Sequence, residues 1–207
     1  MYRVYHKMIS QTTLFYCFVI LVLGICLYMY FIDNDKLELK CVVSGVDGNT
    51  YCVRDRTKVK EAADLLAKVT MNCKKLVEYV GNKYPEKEEV IQLVKGFNPK
   101  KVMETLPTSS YTAYSENKGE KIAFCLTPKK NKDENTLIDE HTLTFVAIHE
   151  LTHVATKTIG HKTDFWQNFK FLLENAKESG IHNPQDYKKK PQTYCSMELN
   201  DNPYYDM

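Results

Sequence analysis

The chain has 207 residues, enough for one compact domain with a single hydrophobic core once an apolar stretch near its start is set aside. Its 28 lysines and arginines nearly balance its 26 aspartates and glutamates. Because Lys188-Lys189-Lys190 is the longest unbroken basic block, the charge gives no clear indication of a nucleic-acid site.

The first predicted element is a transmembrane anchor at residues 12–32, after a short tail at residues 1–11. The segment TTLFYCFVILVLGICLYMYFI carries no charge and is long enough, as a helix, to cross about 30 Å of hydrocarbon. Its tyrosines lie near its two ends, where a polar-tipped ring is favourable. A cleaved signal peptide is the alternative, but it would have a shorter apolar region and a small-residue cleavage site.

The charges that flank this segment favour one orientation. Arg3 and Lys7 precede it, and Lys36 and Lys40 follow it, so the positive-inside comparison is nearly tied. The free amino terminus favours a cytosolic N-terminus with the domain outside. The sequence thus predicts a single-pass membrane protein.

Cysteines after this segment suit an oxidising compartment, in which some of them could pair. Two of them flank the turn-rich segment at residues 45–49, so residues 33–56 are predicted to be a linker or a small hairpin. Because the number of these cysteines is odd, at least one thiol is left unpaired within the chain. The alternative to disulfide bonds is that all of them are reduced structural cysteines. The five are Cys41, Cys52, Cys73, Cys125 and Cys195.

Two helices are predicted next. Apolar residues recur every three or four positions from about Thr57 to Tyr84, which indicates an amphipathic helix that ends near Gly81 and Pro85. A shorter helix from about Lys87 to Lys95 follows.

Residues 111–126 predict a hairpin, because two β-prone runs are separated by the turn at residues 116–120. Lys121–Leu126 is the predicted inner strand, and it is also a candidate to hold an extended substrate by edge pairing. A charged surface loop is predicted at Lys129–Glu134.

Helical periodicity returns from about Asp139 to Thr158, and a last helix is predicted from Thr163 to Gly180. The tail after it has the composition of irregular structure. Residues 57–207 therefore predict a small α+β domain, mainly helical with a β-hairpin or small sheet.

The chemistry is concentrated in His149-Glu150-Leu151-Thr152-His153. Two histidines four apart on a helix share one face, with Cβ atoms about 5–6 Å from each other, so both imidazoles can bind one Zn²⁺ ion. Glu150 projects beside the metal and is placed to act as a general base. A chance match on a packing helix is the alternative, but a buried histidine pair without a partner would be costly.

A catalytic zinc takes three protein ligands and leaves one position to water. His161 is the predicted third ligand, because Gly160 can adopt a left-handed conformation and turn the chain back toward the metal. Asp164 and Glu174 are the alternatives. The other histidines are interpreted as surface residues: His6, His141 and His182.

HELTH at residues 149–153, followed by GHKTDFW at residues 160–166, resembles the core of the WLM (Wss1-like) and SprT-like zinc metallopeptidases. The resemblance extends to small predicted proteases of large DNA viruses, and it implies a viral or host membrane for the predicted anchor. It covers about Phe145 to Phe171 and implies a zincin-like domain in which three histidines bind Zn²⁺ and Glu150 is the catalytic base. The spacing to the third histidine is not that of metzincins, so Met197 is not read as their Met-turn.

The predicted function is a membrane-anchored zinc metalloendopeptidase, which hydrolyses the bonds of a protein or peptide substrate with zinc-activated water and Glu150 as general base. Tyr194 is a candidate oxyanion donor, with a structural role as the favoured alternative. The rival functions are a zinc-binding but proteolytically inactive membrane-tethered interaction module and a tethered interaction protein without metal. Neither the cleavage specificity nor the oligomeric state follows from the sequence.

Overall fold

The computed structural model describes residues 11–33, 39–129 and 136–206. The chain divides into two compact units: one contains helix α1 (Gln11–Asp33), and the other begins at Leu39. Three predictions concern residues outside the described ones: residues 1–10 of the tail, the surface position of His6, and most of the loop Lys129–Glu134.

The transmembrane anchor predicted at residues 12–32 is wrong. These residues lie in α1, but no helix in the described part of the chain is long and apolar enough to cross a membrane. A crossing takes about 20 consecutive, predominantly apolar residues. The predictions of a single-pass topology and of a domain placed outside a membrane depended on this anchor and are wrong with it.

Four helices organise the second unit, and all four were predicted to within a few residues. They are α2 (Val59–Lys83), α3 (Glu88–Gly96), α4 (Glu140–Ala155) and α5 (Thr163–Glu178).

Helix α4 lies at the centre and packs against the other three helices. It begins at Asp139, whose side chain accepts a hydrogen bond from the Thr142 backbone N–H at 2.8 Å. Most of its residues are buried, as expected of a helix that is apolar on most sides. Any functional group that α4 carries is therefore held by the core.

A three-stranded sheet accompanies the helices, which makes the unit α+β. Its order is β3 (Val102–Glu104), β5 (Lys121–Phe124), β4 (Ala113–Glu116), with β3 parallel and β4 antiparallel to β5. A 3₁₀ turn, Pro99–Lys101, leads into β3. The predicted hairpin and its inner strand are confirmed. Because both edges of β5 are paired, the prediction that this strand holds an extended substrate is wrong, and β4, an outer strand that contacts α4, has the edge position.

Each of two further hairpins contains a cysteine of a disulfide bond. Strands β1 (Leu39–Val43) and β2 (Thr50–Arg54) pair so that Cys41 lies opposite Cys52, and the two are bonded. Tyr51 and Val53 of β2 enter the hydrophobic core.

The second hairpin, β6 (Gln192–Tyr194) and β7 (Met197–Leu199), lies in the tail that was predicted to be irregular, and a short helix, α6 (Pro203–Asp206), follows it. That prediction is wrong because the turn at Cys195 and Ser196 has positive φ values of 48° and 67° without a glycine, so the usual turn signal is missing. A disulfide from Cys195 to Cys125 fixes the turn beside the sheet, whereas Cys73 is a free, buried thiol.

Candidate metal centre

The three predicted metal-binding histidines meet at one point. His149 and His153 project from the same face of α4, and His161 approaches from the loop that joins α4 to α5. Helix α4 ends at Ala155, three residues before the predicted end, and Gly160 turns the loop with a φ of 81°. The left-handed glycine predicted before His161 is therefore present.

The spacing of the imidazole nitrogens suits a metal ion. Nε2 of His161 lies 3.1 Å from Nε2 of His149 and 3.2 Å from Nε2 of His153. Two nitrogen ligands about 2.0–2.1 Å from a tetrahedral zinc are about 3.3–3.4 Å apart. These two distances thus lie within a few tenths of an ångström of that geometry, and the ligand atoms of all three histidines lie within 4.8 Å of one another, so the group could hold a metal ion.

The alternative third ligands point elsewhere. Both carboxylate oxygens of Asp164 accept hydrogen bonds from the Thr158 hydroxyl, at 2.9 and 2.7 Å. Glu174 is exposed on α5 and does not belong to the histidine group. Among the described residues, the group that could hold a metal therefore consists of imidazoles alone.

An aromatic side chain that sequence reasoning did not place in the site lies against all three imidazoles. The ring centroid of Phe165 is 4.9 Å from that of His149, 4.5 Å from His153 and 4.6 Å from His161. Phe165 is itself fully buried. Its apolar ring contacts the histidines from the core, and of the three imidazoles His161 is exposed whereas His149 and His153 are half-buried.

The electrostatics of the cluster favour neutral imidazoles. Burial, with His153 and His161 as neighbours, lowers the pKa of His149 to about 3. Burial, followed by His161 and Lys118, lowers the pKa of His153 to about 4, and burial also lowers the pKa of His161. Since a neutral imidazole is the form that binds a metal, the cluster is ready for one at neutral pH.

Glu150, the predicted base, is 4% exposed and lies inside the fold next to the first histidine. Burial raises the pKa of Glu150 to about 8. A bound divalent cation would act in the opposite direction and favour the carboxylate. Such a carboxyl group can exchange a proton near neutral pH, which a general base requires.

Tyr194, the candidate oxyanion donor, is in the interior. Its hydroxyl donates to the Thr112 carbonyl oxygen at 3.1 Å and accepts from the Cys125 N–H at 3.2 Å, and the side chain is 1% exposed. The contacts of Tyr194 therefore favour a structural role over that of an oxyanion donor. Burial, and after it the nearby Glu150 carboxyl group, raises the pKa of Tyr194.

The interpretation of His141 and His182 as surface residues is corrected. His182 is 4% exposed, and its ring lies 4.3 Å from that of half-buried His141. His141 Nε2 is 2.7 Å from the Asn183 carbonyl oxygen. His182 lies in the segment after α5 and packs on His141 and Phe145 of α4, which accounts for its burial, and neither histidine belongs to the metal-binding group.

Comparison with known proteins yields relatives but no family. No family model matches the chain. An uncharacterized protein of Acanthamoeba polyphaga mimivirus is 25% identical over 186 residues, which are 88% of this chain and 93% of that protein. An uncharacterized protein of invertebrate iridescent virus 6 is 35% identical over 74 residues, which are 36% of this chain and 40% of that protein. An uncharacterized protein of invertebrate iridescent virus 3 is 39% identical over 59 residues, which are 28% of this chain and 36% of that protein.

Among solved structures, Wss1 of Saccharomyces cerevisiae aligns with a TM-score of 0.45 and 17% identity over 62% of this chain and 89% of that one. A TM-score under 0.5 at this identity does not establish a common fold. Similarity to viral proteins is shown, and the functional assignment depends on the geometry of the histidine cluster.

Proposed function

We propose that this chain is a zinc-dependent metalloendopeptidase of the WLM or SprT-like kind, with His149, His153 and His161 as metal ligands and Glu150 as general base. The observation that carries the proposal is the convergence of three imidazoles, in which Nε2 of His161 lies 3.1 and 3.2 Å from the Nε2 atoms of His149 and His153. Hard cations such as Ca²⁺ and Mg²⁺ prefer oxygen ligands, so an all-imidazole set favours zinc among the abundant metals.

In the proposed reaction, the three histidines would hold the zinc ion and Glu150 would transfer the proton. When bound, zinc supplies a Lewis acid that polarises the scissile carbonyl and lowers the pKa of water toward 7. The Glu150 carboxylate takes a proton from the attacking water and passes it to the leaving amine nitrogen. The low dielectric around Glu150, which is 4% exposed, strengthens these charge interactions.

The proposed substrate is a protein or peptide in extended conformation. Strand β4 lies at the edge of the described sheet and contacts α4, so it offers backbone groups beside the helix that carries the histidines. Pairing of a substrate strand with such an edge would present its peptide bonds in a defined register.

Glu150→Gln separates catalysis from metal binding, because the amide keeps the size of the side chain and loses the base. We expect the purified full-length variant to bind as much zinc as the parent, by elemental analysis, and to lose nearly all cleavage of a peptide library. His161→Ala should bind zinc more weakly, through the two remaining histidines, and should lose cleavage as well. Equal cleavage by Glu150→Gln and parent would refute the assignment of the base.

The same measurement addresses the rival function, a zinc-binding but inactive interaction module. That module would bind zinc in the parent and cleave no peptide in the library. The group of three ligands found among the described residues supports the enzyme, since a purely structural zinc takes four protein ligands.

A further inference from the structure

One lysine joins the ends of the two segments that carry the histidines. Lys118 lies in the turn between β4 and β5, and its ammonium donates to the Thr156 carbonyl oxygen at 2.5 Å and to the His153 carbonyl oxygen at 3.3 Å. The carbonyl oxygens of Lys157 and Thr158 are each 3.4 Å away. The ammonium, with three N–H donors, is thus surrounded by four acceptors.

One of these acceptors, the His153 carbonyl oxygen, is among the last four of α4, which an isolated helix leaves unsatisfied, and the other three belong to the residues that follow the helix. The last turn of α4 and the residues after it have no following helical N–H groups to bind their oxygens. The aligned peptide dipoles also place partial negative charge at this end, which favours a cation. Lys118 therefore satisfies the helix end and at the same time binds the first three residues of the loop that leads to His161.

The turn that presents Lys118 is itself fixed. Asn117, Lys118 and Gly119 all have positive φ, at 47°, 56° and 99°. The Asn98 N–H donates to the Gly119 carbonyl oxygen at 3.0 Å, and a Cβ atom added to Gly119 would lie 2.8 Å from the Gly96 carbonyl oxygen. Close backbone contact with the end of α3 thus leaves the turn little freedom.

The same loop is bound on its other side by α5. The Thr158 hydroxyl donates to the Asp164 carboxylate at 2.7 Å, and the Asn168 side-chain amide donates to the Thr156 hydroxyl at 3.0 Å. The loop between α4 and α5 is therefore held between the β4–β5 turn and α5, and His161 follows at its end. The exposed side chain of Lys157 in this loop also pairs with Glu88 of α3, but Lys118 is the side chain that binds the loop's backbone carbonyl groups.

We propose that Lys118 is a positioning residue of the metal centre: it fixes the loop after α4 so that His161 meets His149 and His153 with the spacing that the metal requires. The inference deepens the proposed function and rests on it. Groups that orient metal ligands typically change metal affinity by about 10–100-fold when they are removed.

Lys118→Met tests the proposal, because methionine keeps an unbranched apolar chain and removes the donors. Zinc affinity of the full chain would be measured by competition with a chromogenic chelator, together with the absorption spectrum of the cobalt form, which reports ligand geometry. We expect about 10-fold or more weaker zinc binding and an altered cobalt spectrum. Lys118→Arg, which keeps the donors, should restore part of the affinity.

Lys101→Met is the matched control. Its ammonium pairs with Glu120 of the same turn at 3.1 Å and is 53% exposed, so this variant removes one positive charge near the turn without touching the α4 carbonyl groups. We expect its zinc affinity to match that of the parent.

A double-variant measurement separates positioning of His161 from a general structural role. In a His161→Ala background, the proposal predicts that Lys118→Met causes little further loss of zinc affinity. Equal zinc affinities of Lys118→Met, Lys101→Met and parent would overturn the role of Lys118 and leave the proposed enzyme intact. A full additional loss in the His161→Ala background would also overturn it. Failure of the parent to bind zinc would instead refute the metal centre itself.

Discussion

The buried pair of His182 and His141 makes a quantitative prediction about acid stability. His182 is 4% exposed, its Nε2 atom has no hydrogen-bond partner within the described ranges, and the His141 ring is 4.3 Å away. Burial, with His141 as a second cause, lowers the pKa of His182 to about 3. The folded protein therefore holds this ring neutral at pH values where the unfolded chain binds a proton.

The sign and the size follow from proton linkage. Between the unfolded pKa of about 6.5 and the folded value of about 3, the unfolded state binds one more proton, so acid lowers the free energy of unfolding. The slope is about 1.4 kcal/mol per pH unit in this window. Relative to pH 7.5, His182 should then cost about 2 kcal/mol of stability at pH 5.

His182→Leu removes the titration and replaces the ring by an apolar side chain of similar size. Urea unfolding of the metal-free protein, followed by circular dichroism at several pH values from 7.5 to 5, gives the free energy for parent and variant. We expect the difference between variant and parent to shift in favour of the variant by about 2 kcal/mol over this range.

Comparing slopes makes the test independent of any constant packing change. His149 and His153 also have lowered pKa values, but they contribute equally to both proteins and cancel in the difference. Parallel pH profiles for parent and His182→Leu would refute the reasoning, because they would mean that His182 is protonated in the folded state as readily as in the unfolded chain.

Two further predictions concern the framework around the site. Gly119→Ala should destabilise the protein by more than about 2 kcal/mol in urea unfolding, because φ is 99° and the new Cβ would clash with backbone. Gly48→Ala, where φ is 72° and the space is open, should cost only about 1 kcal/mol. Equal losses would contradict the close contact at Gly119. Cys195→Ser opens a disulfide with a sequence separation of 70 and should lower the free energy of unfolding by about 4 kcal/mol, because the longer closed loop restricts the unfolded chain more. Cys41→Ser, with a separation of 11, should lower it by about 3 kcal/mol, and the reverse order would contradict this argument.

Local patterns in the sequence predicted the elements that carry the histidines. The three- and four-residue periodicity gave α2 to α5 within a few residues, since an amphipathic helix is encoded by neighbours on one face. The histidine spacing placed His149 and His153 on one face of α4 for the same reason. Gly160 indicated the left-handed turn before His161.

Local patterns failed where long-range contacts decide the structure. Strand β3 has three residues and is recognisable only by its parallel pairing with β5. The β6–β7 hairpin has a turn without glycine that is held by a disulfide to a residue 70 positions away. The apolar composition of residues 12–32 predicted a membrane anchor, whereas the described part of α1 does not provide a crossing.

The sequence by itself determined which side chains could bind a metal, because ligand chemistry and helical spacing are local properties. Tertiary structure decided that their nitrogens converge, since the approach of His161 depends on a loop held between α5 and the β4–β5 turn. It also placed Phe165 behind the imidazoles and Lys118 at the end of α4. Neither contact has a signature in the sequence, because each joins residues from elements that meet only when the chain has folded.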